Sequence, residues 1–223
     1  MQELKFTFQG HEATVIRPDN PNGKWIWKTE FLYAYDKAER ELLDLGYTRV
    51  YYQISHKYGS YHAVRLMHEF HKYVVNEFGL EEKAILFGFS RGGLYAFNYA
   101  LFYPEFVEKI YLDAPVLDMR SWPPKGSVER EQVYEEYNLT EETLAQFKGH
   151  PIENLSEFFG LNIPLLLVCG DADEIVPFEA NGKRMIDYCK ENGINITSIV
   201  KPRCKHHPHS LEDTTLILNF VQK

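Results

Sequence analysis

The chain has 223 residues, of which 44% are hydrophobic and 25% charged, with a formal net charge of −8 at pH 7. A chain of this size buries roughly two-thirds to three-quarters of its unfolded surface, so one domain spanning 1–223 needs neither disulfides nor a structural metal. The acidic balance and the lack of any Lys/Arg run exclude nucleic acid and anionic membranes as partners and leave homo-oligomerisation open.

The opening MQELKFTFQG has no basic or apolar leader, and no apolar run approaches the roughly 18 residues of a membrane span, so a cytoplasmic location is expected. Cys169, Cys189 and Cys204 are odd in number and show no CxxC spacing, which reads as free thiols.

Short apolar runs alternate with longer amphipathic ones, the rhythm of an α/β protein with a mostly parallel, doubly wound sheet and helices on both faces. Residues 4–10 and 12–18 read as the first strands, and DNPNGKWIWK at 19–28 as a loop broken by Pro, Asn and Gly. A helix is predicted over 30–45, with Phe31, Tyr35, Ala38, Leu42 and Leu45 on one face and Gly46 as its stop. TRVYYQIS at 48–55 is a β-branched and aromatic strand. The helix over 62–78 turns Val64, Met67, Phe70, Val74 and Phe78 inward.

KAILFGF at 83–89 is a strand that runs into a helix over 91–103, and EKIYLDAP at 108–115 is the next strand. IPLLLVCG at 163–170 and NITSIVKP at 195–202 are the last two strands, and 211–223 supplies a closing helix. Residues 117–160 interrupt the rhythm, with Ser127 and Thr140 able to cap two short helices. An insertion of that length between two strands is expected to form a small helical cap over the ligand-binding edge of the sheet. Arg120, Trp122 and Tyr134 are its candidate substrate contacts, against the competing account that they only pack the lid.

Gly88-Phe89-Ser90-Arg91-Gly92-Gly93 lies directly between a predicted strand and a predicted helix. A nucleophilic serine on such a turn needs very small neighbours so that strand and helix can approach, and Gly88 and Gly92 meet that need. The turn aims backbone N–H groups at the reacting carbonyl, and Arg91 N–H is a candidate oxyanion donor.

A hydroxyl needs a base to take its proton, and the base needs a carboxylate to fix its tautomer. In chain order after Ser90 come Asp171-Ala172-Asp173-Glu174 behind one strand and His206-His207-Pro208-His209 behind another. All three segments follow carboxyl ends of strands expected to be parallel, so they share one edge of the sheet.

These motifs resemble those of the α/β-hydrolase superfamily, and the resemblance covers the chain from Leu4 to Phe220. It implies the α/β-hydrolase fold and a serine hydrolase in which Ser90, Asp173 and His206 form the catalytic triad. Asp173 corresponds to the third residue after Gly170 in GDADEIVP, and Asp113 ranks second. His206 falls in the family's register, with His207 and His209 as rivals because Lys205 stands where the family commonly has glycine. The segments GFSRGGL, YLDAPVLDMRSWP and HHPHSL are similar to those of a bacterial group of small esterases, some of them carbohydrate-linked. The resemblance places the second oxyanion donor behind an early strand. Arg17-Pro18 stands where the family often has His-Gly, so the expectation falls on Trp25.

No cofactor is expected, and no metal, because His206, His207 and His209 are not at helical spacing. The expected partner is a small-molecule ester, acylated sugars included. A peptidase or thioesterase would use the same triad, and a non-catalytic binding module of the same fold is the alternative from another class.

Overall fold

The computed structural model describes all 223 residues, Met1–Lys223. Its strands are β1 (Gln2–Phe8), β2 (His11–Arg17), β3 (Trp25–Lys28), β4 (Thr48–Tyr52), β5 (Ala84–Phe89), β6 (Val107–Asp113), β7 (Leu165–Gly170) and β8 (Thr197–Lys201). They form one sheet in the order β1-β2-β4-β3-β5-β6-β7-β8. The β1–β2 and β2–β4 pairs are antiparallel, and all pairs from β4 to β8 are parallel.

The helices are α1 (Lys37–Asp44), α2 (Tyr61–Phe78), α3 (Gly92–Phe102), α4 (Val128–Tyr137), α5 (Glu141–Gln146), α6 (Leu155–Gly160), α7 (Gly182–Glu191) and α8 (Thr215–Gln222). On one face α2, α3 and α7 close a core of 40 buried residues, and on the other α1 and α8 cover a smaller cluster of 12.

The segment expected to be a loop ends in a central strand. Gly23 marks the true end of the turn residues, and Trp25, Ile26, Trp27 and Lys28 are all buried between β4 and β5. The helix expected over 30–45 begins only at Lys37, because Phe31 and Tyr35 take left-handed φ of 58° and 51°, which no α-helix allows. Phe31, Tyr35 and Leu45 are accordingly exposed, and of the five expected inward residues Ala38 and Leu42 are buried, with Glu39 and Leu43 beside them.

Residues 117–160 form α4, α5 and α6 between β6 and β7, with Ser127 and Thr140 accepting from the N–H groups of Arg130 and Thr143 at their N-caps. The insertion is fastened to the segment before α2: the Tyr137 hydroxyl donates to Tyr58 O at 2.8 Å and the Ser60 hydroxyl to Glu136 at 2.6 Å. Below it, Phe97 of α3 and Phe158 of α6 stack with centroids 4.3 Å apart.

The smaller core holds charge. Lys28 Nζ lies 2.5 Å from Glu39 Oε1, with both side chains fully buried, and Arg49 donates to Asp36 at 2.9 Å beside them. Burial pushes the Lys28 ammonium below its ordinary pKa despite Glu39. Such a pair contributes little net stability, but removing one partner leaves an uncompensated charge. Lys28→Met is therefore expected to cost about 3–5 kcal/mol of unfolding free energy in urea titrations. Lys28→Met/Glu39→Leu should regain most of it, and a double variant no more stable than the single one would refute the pairing.

Candidate active site

Ser90 follows β5 with φ 51°, a left-handed conformation that costs an L-residue roughly 1–2 kcal/mol. Backbone bonds hold it there: Ser90 N–H donates to Asp113 O at 2.9 Å, and Ser90 O accepts from Gly93 N–H at 3.0 Å and Val116 N–H at 2.9 Å. Glycine is required around it by closeness. A Cβ on Gly88 would meet Ala96 Cβ and Gly92 O, both at 2.9 Å, and one on Gly93 would sit 2.5 Å from Pro115 Cβ.

His206 and Asp173 arrive from the loops after β8 and β7. These loops interlock, with Ala172 N–H donating to Cys204 O at 3.0 Å and Arg203 N–H to Asp171 Oδ1 at 2.5 Å. His206 Nδ1 lies 2.7 Å from Asp173 Oδ2, and His206 Nε2 lies 2.9 Å from Ser90 Oγ. Asp173 Oδ1 also accepts from Ile175 and Val176 N–H, each at 3.0 Å. With the carboxylate acting only as acceptor, the imidazole carries its proton on Nδ1, and its Nε2 lone pair accepts the Ser90 hydroxyl. All three residues are buried.

The two rival residues meet each other instead. His209 Nδ1 lies 2.7 Å from Asp113 Oδ1, while Asp113 Oδ2 accepts from Ser210 N–H at 2.9 Å and the Tyr111 hydroxyl at 2.7 Å. Asp113 thus anchors the histidine-bearing loop to the end of β6. His207 is exposed and stacks on Tyr35.

The Trp25 expectation is corrected by its position. Trp25 opens the central strand β3 at the end away from Ser90, and its indole N–H donates to Glu81 O at 2.8 Å. The candidates in its place are the backbone N–H groups of Arg91, next in the chain to Ser90, and of Glu30 and Phe31 in the loop after β3. None of the three N–H groups donates to another group of the protein. That loop abuts the Ser90 turn, since the Thr29 hydroxyl donates to Gly92 O at 2.8 Å. Reading WIWK as a strand would have led to these residues.

The Arg91 side chain turns back to Glu30, with Nη2–Oε2 at 3.0 Å, and lies 5.0 Å over the Phe31 ring. Burial pushes the Glu30 carboxyl up, and Arg91 and Ser55 only partly offset it.

Of the three cap residues expected to touch substrate, two are otherwise engaged. Arg120 is held by Asp118 at 2.8 Å and Glu153 at 2.6 Å, and the Tyr134 hydroxyl donates to Glu141. Trp122 lies against Tyr58, 6.2 Å between centroids, on the segment that reaches Glu30 through Ser55. The cavities of 780, 740 and 630 Å³ open elsewhere, and none is lined by Ser90, Asp173 or His206.

Replacing Asp113 by Ala orphans three buried donors, each worth about 1–3 kcal/mol when left unpaired. Unfolding free energy measured in urea is expected to fall by about 2–5 kcal/mol for Asp113→Ala, since such costs are not additive. A loss within experimental error would mean that the loop does not depend on this anchor.

No curated protein matches the chain in sequence. Among solved structures, the fluorophosphonate-binding serine hydrolase F of Staphylococcus aureus matches with TM-score 0.74 at 15% identity, over 99% of this chain and 96% of that one. The carboxylesterase Cest-2923 of Lactobacillus plantarum matches with TM-score 0.69 at 15% identity, over 93% and 85%. Dipeptidyl peptidase 4 of Porphyromonas gingivalis matches with TM-score 0.69 at 14% identity over 98% of this chain. The chain spans only about a third of the length of such peptidases, 34% of this one and 35% of a Bacteroides ovatus protein. These similarities establish the α/β-hydrolase fold. The prolyl oligopeptidase family model matches residues 46–223, and the chain therefore belongs to that family of serine hydrolases.

Proposed function

We propose that the chain hydrolyses esters of small acyl groups, acylated sugars among them, through an acyl-enzyme on Ser90. The observation that carries this reading is the continuous hydrogen-bonded line from Ser90 Oγ through His206 to Asp173, at 2.9 and 2.7 Å. His206 Nε2 takes the hydroxyl proton as Oγ attacks the carbonyl carbon, and Asp173 holds the imidazole and stabilises the imidazolium. The tetrahedral oxyanion is received by Arg91 N–H and by an N–H of the loop after β3, Glu30 or Phe31. His206 then returns the proton to the leaving oxygen, and water repeats the sequence to release the acid.

A small acyl group is favoured because the large cavities lie away from Ser90. The insertion at 117–160 serves as the cap of the site, with Trp122 its substrate-facing residue. The likeness to an esterase over nearly its whole length supports an ester substrate. Family membership favours the second reading, a peptidase acting on short peptides.

The purified protein is expected to label stoichiometrically at Ser90 with a fluorophosphonate. Ser90→Ala should abolish labelling and lower p-nitrophenyl acetate turnover by roughly 10⁴-fold or more, and Asp173→Asn by roughly 10⁴-fold. Undiminished turnover by folded Ser90→Ala would end the assignment. Faster cleavage of a dipeptidyl p-nitroanilide than of p-nitrophenyl acetate would move it to the peptidase.

A further inference from the structure

His206, His207 and His209 lie in one turn after β8, and each offers a ring nitrogen within 4.8 Å of those offered by the other two. Their ring centroids are 4.7 to 5.0 Å apart. Helical spacing is not needed for this convergence, because the turn folds the three rings together.

Both buried members of the group are prepared in the same way. His206 Nδ1 is tied to Asp173 and His209 Nδ1 to Asp113, each at 2.7 Å, so both keep Nε2 as the nitrogen that carries the lone pair, which in His206 accepts the Ser90 hydroxyl at 2.9 Å. A carboxylate behind Nδ1 fixes the tautomer and raises the basicity of Nε2, the outer-shell arrangement found around metal-bound histidines. His207 is the exposed member, through which an ion can enter.

We propose that His206, His207 and His209 form a binding site for Zn²⁺, or a similar divalent ion with nitrogen preference, that reversibly shuts off the hydrolase by occupying His206 Nε2. Three imidazoles and no clustered oxygen donors suit zinc, copper or nickel and not magnesium or calcium. With Zn–N bonds of about 2.0–2.1 Å, tetrahedral geometry places the nitrogens about 3.3–3.4 Å apart. The group must therefore contract by no more than about 1.5 Å. Water fills the fourth position. While the ion is bound, His206 cannot accept the Ser90 proton.

The shut-off rests on the reading of His206 as base, but the metal site does not. The full chain is titrated with Zn²⁺ by calorimetry, and the rate of fluorophosphonate labelling is followed over the same concentrations. The expected result is one Zn²⁺ per chain bound in the micromolar range, with labelling slowed in parallel, restored by EDTA and unaffected by Mg²⁺. His207→Asn should weaken binding at least about 10-fold, as outer-shell changes alone already do, and leave metal-free labelling unchanged. Cys204→Ser should leave binding intact.

Binding only at millimolar Zn²⁺, affinity indifferent to His207→Asn, or affinity lost in Cys204→Ser would overturn the site. Tight binding without slower labelling would overturn the shut-off. If the metal-free protein does not label at all, the triad reading fails, and the calorimetric comparison still decides the metal site.

Discussion

The crossing of β5 onto α3 is the constraint to which every other part of the site is referred. Ser90 is held in a left-handed conformation at the end of a fully buried strand, and the helix starts two residues later. The strand and helix are close enough that a methyl group on Gly88 or Gly93 has nowhere to go. That contact fixes where Ser90 Oγ and the Arg91 N–H stand. It also decides which neighbours can reach them, because the ends of β3 and β6 are the segments bonded directly to the turn. The local strain is retained because the surrounding bonds over-determine it, as the Asp113 and Val116 backbone bonds to Ser90 illustrate.

The two faces of the sheet support this crossing by different means. Under α2, α3 and α7 the support is apolar packing, with rings such as Phe70, Phe97 and Tyr99 fully buried. Under α1 and α8 a smaller apolar cluster is joined by a buried ion pair. Lys28 Nζ reaches both Glu39 and the carbonyl of Ala34, and so ties the end of β3 and the turn behind it to α1. That turn carries Glu30 and Phe31, so a buried ion pair helps to set the course of the loop after β3. Hydrogen bonds are directional in a way that apolar contacts are not, which suits the fixing of a loop.

Most elements could be read from the chain because their patterns are local. The helix at α2 shows its inward stripe of Val64, Met67, Phe70 and Val74, and the caps at Ser127 and Thr140 are visible as residue types. β3 escaped because its four residues follow Asn-Pro-Asn-Gly and end in a lysine, and a lysine in a central strand reads as surface unless its partner is known. That partner, Glu39, lies on a helix whose start was also misplaced, since the turns at Phe31 and Tyr35 have φ values that neither residue type announces. The order Ser90, Asp173, His206 was legible from the motif and its partners. Which acid pairs with which histidine was not, because His206 and His209 are separated by three positions and are sorted only by where the turn directs them.

The same sorting bears on what the site can cleave. Esters and amides pass through the same tetrahedral species, and a line of serine, histidine and aspartate serves both. An amide asks more of the histidine, which must deliver a proton to a poor leaving group at the moment of collapse, and more of the pocket, which must hold both sides of the scissile bond. The insertion between β6 and β7 is fastened by Tyr137 to Tyr58 and by Glu136 to Ser60, and it packs on α3 through Phe158. A cap fixed at those three places holds Trp122 against Tyr58, while the Phe31 ring lies under the Arg91 guanidinium. The hydrogen-bonded line of Ser90, His206 and Asp173 alone does not discriminate between a small ester and a peptide.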